Sequence, residues 1–437
     1  MKVLVLGAAT SGFAAARLGV RLGHEVTVYD RESGAGLPLI GEGVAVVNGR
    51  WDRDLLFGVE LAVASPGIPL RAAPITDARE AGVIVWSEIE FAWRHLEVPV
   101  IAVTGTNGKT TVSEAAAEML TSSGYDTAAV GNIGTALSDS VGKPHDVLVV
   151  EVSSFQLELT ESFHPSAAVL LNISPDHLDW HPSFGAYVAA KSKVFANQDR
   201  SDLLIFDADD EGAVKAVAAA PSRLHPVSGH RRPPGGSGPE RGQLVLPGVS
   251  VAMAELPSDH PTLVVDLAAA AVAALEGGAS VEAVAEVCLR FRPGAHRRQF
   301  VGQGSGVDFV DDSKATNPHS ALASIRSFGR VVLIAGGLAK GLDIAPLAHA
   351  ENVVAVVAIG EAAPVLIAAA GSGRGLGAGS MAEAVAIAAG IAQPGDTVLL
   401  APGCASFDMF TDFAARGDAF IAAAQAVIRG TAVGSSQ

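Results

Sequence analysis

Residues 98–111 read Val98-Pro99-Val100-Ile101-Ala102-Val103-Thr104-Gly105-Thr106-Asn107-Gly108-Lys109-Thr110-Thr111, and the order of their chemistry decides the fold. A run of β-branched and small apolar residues predicts a buried strand. Two glycines then let the chain curl so that successive N–H groups face one point. The following Val112-Ser113-Glu114-Ala115-Ala116-Ala117-Glu118-Met119-Leu120 predicts a helix, whose positive end adds to that field. A polyphosphate fits such a cradle. Gly105, Thr106, Asn107, Gly108, Lys109, Thr110 and Thr111 are therefore the candidate ATP-binding residues. Lys109 would reach the outer phosphates and Thr110 would ligate Mg²⁺. The generic loop asks for a glycine five residues before Gly108, where Val103 stands. The match is to a shorter variant, Thr-Gly-Thr-Asn-Gly-Lys-Thr-Thr.

Outward from this loop, short β-branched runs alternate with Ala-rich helical stretches, the pattern of parallel α/β sheets. Strands are expected at Val3–Leu6, Val26–Tyr29, Leu61–Ala64, Val100–Thr104, Val147–Val152, Ala168–Asn172, Val331–Ala335, Val354–Ile359 and Thr397–Ala401. Three blocks follow: residues 1–92 with a strand–Gly-loop–helix start, 93–290 with the phosphate loop, and 291–437 with its own βαβ rhythm after Phe291-Arg292-Pro293-Gly294. Residues 229–238, rich in Gly and Pro, are expected to form a surface loop.

The 437 residues exceed what one hydrophobic core serves. Although 49% are hydrophobic, no uninterrupted apolar run approaches the ~20 residues of a membrane helix. Met1–Gly7 reads as a first strand, not a signal peptide, and the expected location is the cytoplasm. Two cysteines, Cys288 and Cys404, cannot build a disulfide framework. A net charge of −16 argues against general nucleic-acid binding.

Asp146-Val147-Leu148-Val149-Val150-Glu151 predicts an apolar strand ending in a carboxylate, where a phosphate-loop protein needs an acidic group facing Mg²⁺. Leu170-Leu171-Asn172-Ile173-Ser174-Pro175-Asp176-His177-Leu178-Asp179 puts a histidine in a polar loop after another strand. By itself such a histidine is more often a satisfied structural group than a ligand, and Lys191 and Lys193 read as solvated helix lysines.

Together the loop, Gly131-Asn132-Ile133-Gly134, Glu151-Val152-Ser153-Ser154-Phe155-Gln156 and Asp176-His177-Leu178-Asp179 resemble the Mur ligase family, ATP-dependent enzymes that add amino acids to the UDP-linked precursor of peptidoglycan. The resemblance covers essentially the whole chain. It implies three domains: a Rossmann-like N-terminal domain, a central P-loop ATPase-type parallel sheet and a Rossmann-like C-terminal domain. It also implies two Mg²⁺ sites. Thr110 and Glu151 would hold one; His177 and a carbamylated Lys191 would hold the other, with Lys193 as the alternative by spacing. The catalytic set would be Lys109, His177, Lys191 and Lys314.

The outer blocks choose the substrates. Gly7-Ala8-Ala9-Thr10-Ser11-Gly12 resembles a dinucleotide fingerprint, but Ala9 replaces the glycine that lets a pyrophosphate approach. In the D-glutamate-adding branch of the family this block binds UDP-N-acetylmuramoyl-L-alanine, which points to Thr10, Asp30, Arg31, Ser65 and Gly67, with Asn132 and Ser153 from the central block. Asp311-Asp312-Ser313-Lys314-Ala315-Thr316-Asn317 resembles that branch's Asp-Ser-Lys-Ala-Thr-Asn signature. The carried-over D-glutamate residues are Thr316, Lys340, Ser406, Phe407 and Phe413; Arg297 and Asp312 fall to ATP. The resemblance implies closure of the C-terminal block about a hinge near Arg292–His296. Two stretches depart from the pattern: His260–Ala269 lacks the Asn residues that touch adenine, and Arg298-Gln299 follows His296-Arg297. The rivals are a sister ligase adding L-alanine, a diamino acid or a dipeptide, a nucleotide-gated binding protein, and a nicotinamide oxidoreductase.

Overall fold

The computed structural model describes residues 1–178 and 180–434, with side chains up to residue 430; Asp179 of the histidine motif lies outside the described residues. Contacts divide the chain into two compact units. One holds residues 1–173 and 185–291; the other holds residues 174–184 and the chain from Arg292 onward.

In the first unit, β1 (Lys2–Leu6), β2 (Glu25–Asp30), β3 (Ala45–Asn48), β4 (Leu61–Ala64) and β5 (Ile84–Ser87) form a sheet in the order β3-β2-β1-β4-β5, parallel throughout. Val3 to Leu6 are buried without a break, as expected of a parallel strand covered on both faces. A second parallel sheet, ordered β11-β10-β9-β6-β8-β7, contains β6 (Val100–Thr104), β7 (Thr127–Gly131), β8 (Val147–Glu151), β9 (Ala167–Leu170), β10 (Leu203–Asp207) and β11 (Arg223–Val227).

The two sheets share a core. Val3, Leu18 and Val26 belong to one buried cluster with Val100, Leu148 and Leu170, joined by Ile89 and Phe91 of the helix Glu88–Trp93. Ser87 caps that helix, its Oγ accepting from the Glu90 N–H at 3.3 Å. Phe91 is fully buried, so truncation to Ala would cost about 3–5 kcal/mol.

The expected surface loop at 229–238 is corrected in part. Its middle is exposed, but Gly229, Gly236 and Ser237 are buried. Gly238 opens a small antiparallel sheet, β12 (Gly238–Glu240), β13 (Gln243–Leu246) and β14 (Val249–Ala252). Leu244, Leu246 and Val251 pack into the core beside the helix Pro261–Glu276, which anchors the loop where it enters the sheet, and at the other end the Ser228 N–H donates to Ser237 O at 3.1 Å.

The second unit is built on a sheet ordered β15-β16-β20-β17-β18-β19, from β15 (Gln299–Gly304), β16 (Val307–Asp311), β17 (Arg330–Gly336), β18 (Val353–Ile359), β19 (Gly375–Gly377) and β20 (Asp396–Leu400). Only β15 runs antiparallel to its neighbour. Along β17, Val331, Leu333 and Ala335 enter one buried cluster, and Val332 and Ile334 enter another, the two-residue period of a sheet covered on both faces. All nine expected strands are present, with ends shifted by at most two residues. Among the described residues no helix is long and apolar enough to cross a membrane.

Candidate active site

The phosphate loop leaves β6 and enters the helix Lys109–Ser122, whose first turn contains Lys109, Thr110 and Thr111. Gly108 has φ 84°, and a Cβ there would lie 2.5 Å from Asp266 Oδ1, so only glycine fits against the helix Pro261–Glu276. Asn172, just beyond β9, clamps the loop. Its carbonyl accepts from the Thr106 N–H at 2.8 Å, and its side chain both accepts from Asn107 N–H and donates to Asn107 O. Thr106 Oγ1 lies 3.0 Å from the Tyr187 hydroxyl.

Two lysines converge on one carbonyl. Lys109 Nζ donates to Gly105 O and Thr106 O, each at 2.9 Å, and Lys191 Nζ donates to Gly105 O at 2.7 Å. Lys191 is 2% exposed, far from the solvated helix position its sequence suggests. Lys193 points elsewhere, to Glu158 O and Thr160 O. The geometry therefore separates the two spacing alternatives and puts Lys191 at the loop.

Glu151 ends β8 with its carboxylate shared. Thr110 Oγ1 donates to Oε2 and Asn132 Nδ2 donates to Oε1, both at 2.8 Å. A hydroxyl and a carboxylate oxygen in contact beside a phosphate cradle are hard donors of the kind Mg²⁺ takes when phosphates and water complete its shell. No group of three or more His, Cys, Asp and Glu among the described residues could hold a metal ion by itself. His177 falls in the second unit and Lys191 in the first, so the pair implied for a second cation is divided between the units. The segment around His177 has its own anchor: Asp176 accepts from the His177 N–H at 2.8 Å and from Asn317 Nδ2 at 3.1 Å, and both Asp176 and Asn317 are buried.

A cleft of about 180 Å³ opens in the first unit between Thr10 and Ser11 at the start of the helix Thr10–Arg21 with Pro66, on the first sheet's side, and Gly131–Gly134 with helical Gln156 on the second's. Of the residues expected to meet the UDP precursor, Thr10 and Asn132 line it. Ser65 Oγ instead donates to Gly7 O at 3.3 Å. The Asp30 carboxylate accepts from the Ala8 and Glu32 N–H groups at 2.7 and 2.9 Å, which stiffens the glycine loop. Ser153 forms a capping box with Gln156 at the start of the helix Ser154–Glu158. Arg31 and Gly67 are exposed.

In the second unit the loop after β16 is held from both sides. Asp311 accepts from the Ser313 N–H at 2.8 Å and lies 2.6 Å from His296 Nδ1. Asp312 is buried and accepts from the Arg298 N–H at 3.2 Å; burial pushes its carboxyl above the usual range, against the pull of Arg298. Lys314 Nζ sits 3.9 Å from the centre of the Phe413 ring, a cation–π contact. A two-way backbone pair between Leu338 and Ala405 joins the Lys340 loop to the Ser406 loop. A Cβ at Gly337 would meet Ala405 O at 2.2 Å, so glycine permits that approach. Ser406 is buried, Phe407 is exposed, and Thr316 and Lys340 are half-buried.

Arg416, which sequence reasoning missed, is the largest fully buried side chain among the described residues. It donates to Ser313 Oγ at 3.0 Å, Ser313 O at 2.8 Å and Cys404 O at 3.0 Å. Burial pulls its guanidinium down to about 10 and pushes the neighbouring Cys404 thiol up to about 12.

Family models match the chain in three consecutive parts: a Mur ligase MurD-like N-terminal domain over residues 1–87, a Mur ligase middle domain over 103–230 and a Mur ligase glutamate ligase domain over 296–404. The UDP-N-acetylmuramoylalanine–D-glutamate ligase of Shouchella clausii is 40% identical over 98% of this chain and 97% of its own length.

The chain belongs to the Mur ligase family.

A second relative of the same name, from Frankia casuarinae, is 42% identical over 98% of this chain and 94% of its own. Among solved Mur ligases, the MurF ligase from Thermotoga maritima in complex with ADP covers 93% of this chain with 95% of its own, at a TM-score of 0.59 and 13% identity; that likeness is one of fold. The resemblance first read from the motifs is thus borne out, as is the α/β fold with its three Mur ligase domains. The family's ATP-dependent ligase chemistry comes with it.

Proposed function

We propose that this chain joins D-glutamate to UDP-N-acetylmuramoyl-L-alanine, using ATP and an acyl-phosphate intermediate, in the cytoplasmic synthesis of peptidoglycan precursors. The observation that carries the reading is the shared carboxylate of Glu151, in contact with phosphate-loop Thr110 on one side and cleft-lining Asn132 on the other. A phosphoryl transfer from ATP to a substrate in that cleft needs such a junction. Relatives of matching length carry the corresponding name. The domains run over 1–92, 93–290 and 291–437.

A carboxylate is a poor electrophile, and an amine does not displace oxide from it in water. In this reading the γ-phosphoryl passes to a carboxylate oxygen of the precursor, leaving ADP and an acyl phosphate. The neutral amine of D-glutamate attacks the acyl carbon, the C–O bond to phosphate breaks, and the nitrogen gives up a proton as the amide forms. Lys109 releases the loop carbonyls and turns its charge onto the transferred group. Mg²⁺ held by Thr110 and Glu151 would supply further positive charge there, and His177 with Lys191, were it carbamylated, would hold a second. Lys340, Thr316, Ser406, Phe407 and Phe413 receive D-glutamate, whose two carboxylates suit charge-assisted bonds. Arg297, Asp312 and Lys314 serve the ATP side. Thr10, Asp30, Arg31, Ser65, Gly67, Asn132 and Ser153 serve the precursor, Asp30, Ser65 and Ser153 by shaping its loops.

The deciding assay follows phosphate release with each amino acid and each UDP precursor, and identifies the amide by mass spectrometry. Dependence on L-alanine in place of D-glutamate overturns the reading. Intact-mass analysis of active protein tests the carbamate; a free amine on Lys191 rejects it.

A further inference from the structure

The helix Glu88–Trp93 follows directly on β5 of the first sheet, yet its two glutamates spend their carboxylates on the second. Glu90 is fully buried. Its oxygens accept from Glu161 N–H at 3.0 Å, Ser162 N–H at 2.9 and 3.1 Å, Ser162 Oγ at 2.6 Å and Phe163 N–H at 3.1 Å, and Arg94 Nε adds a bond at 2.8 Å. Glu88, also buried, accepts from the Ser138 N–H at 2.5 Å.

Those partners are not scattered. Ser138 lies four residues beyond the Gly131–Gly134 wall of the cleft. Glu161 to Phe163 lie just past the helix that carries Gln156, the other central wall. The opposite wall, Thr10 and Ser11, starts a helix whose last residue, Arg21, donates to Ser138 O at 2.9 Å. One short helix therefore grips the far end of both central segments that face the first sheet. A buried carboxylate ringed by backbone donors is rigid, because any donor it releases is left buried without a partner.

We propose that Glu90, assisted by Glu88, is a positioning residue that sets the spacing of the two walls of this cleft and so its affinity for the nucleotide-linked precursor; this rests on the reading of the cleft given above. The hydrogen bonds of Glu88 and Glu90 go to Ser138, to Glu161–Phe163 and to Arg94, all outside the phosphate loop, so the KM for ATP should not move with them.

The test is steady-state kinetics of Glu90→Gln, which keeps the shape but turns an amide donor toward backbone donors. The KM for UDP-N-acetylmuramoyl-L-alanine should rise about 10-fold or more, with kcat within about 3-fold and the KM values for ATP and D-glutamate within about 2-fold. Glu90→Asp should fall between. An unchanged precursor KM in folded Glu90→Gln overturns the proposal, as does a parallel rise in the KM for ATP. If Glu90→Gln does not fold, Ser162→Ala decides, since it removes only the 2.6 Å bond. Its precursor KM should rise about 2- to 5-fold, and no change there overturns the proposal. Wild-type protein that does not turn over this precursor would instead sink the functional reading, a result separate from the KM split.

Discussion

The side chain of Asn172 grips the backbone of Asn107 from both directions, accepting from its N–H at 2.8 Å and donating to its carbonyl at 3.2 Å. The two bonds fix Asn107 within a loop whose other amides are left to face phosphate. Asn172→Ala should lower kcat/KM for ATP by about 10- to 100-fold, the equivalent of one or two lost hydrogen bonds, with little change in Tm. Titration with ATP and thermal melts of the same sample check both halves.

Lys109 holds two loop carbonyls, Gly105 O and Thr106 O. Lys109→Ala should reduce ATP turnover by about 10³-fold or more while circular dichroism stays unchanged. Undiminished turnover would remove Lys109 from the chemistry.

Glu151 serves Thr110 and Asn132 together. Glu151→Gln should therefore raise two quantities in one variant, the Mg²⁺ concentration for half-maximal rate and the KM for the precursor, each by about 10-fold or more. A rise in one alone would show that the two contacts act separately.

Burial, with a smaller push from Asp139, raises the Glu88 carboxyl from its ordinary 4.5 to about 7, against the Ser138 N–H that favours its ionised form. The folded chain thus keeps a proton that the unfolded chain releases. This contribution to stability is complete below pH 4.5, is lost as pH rises to about 7, and is flat beyond. Glu88→Gln should remove that dependence, a difference of up to roughly 3 kcal/mol at pH 8. Denaturant melts of both proteins at pH 5 and pH 8 measure it.

Arg416→Ala should strand Ser313 O and Cys404 O in a buried region, costing about 2–4 kcal/mol and raising the KM for D-glutamate more than that for ATP. Chemical denaturation and separate substrate titrations distinguish the two effects.

The phosphate loop was legible because strand, glycines, lysine and helix are adjacent in the chain, and the family motifs followed from it. Lys191 was legible only through resemblance: helix spacing says solvent, while Tyr187 and the Gly105 carbonyl draw it inward. Asn172, Glu90 and Arg416 left no pattern to read. Each bonds backbone groups brought close by tertiary folding, and backbone groups carry no letter in the sequence. The sheet Gly238–Ala252 was hidden by the Gly- and Pro-rich stretch before it, although Leu244 and Leu246 alternate as a strand should.

The burial of both cysteines has a practical side. Cys288 and Cys404 are enclosed in separate cores, each thiol pushed up to about 12. Electrophilic warheads and maleimide dyes act on thiolates, and at neutral pH these two offer almost none. An inhibitor aimed at Cys404 beside the Ser406 loop would find no nucleophile. Conversely, one cysteine placed at Phe57, 89% exposed, would take a fluorophore with both native thiols left in place.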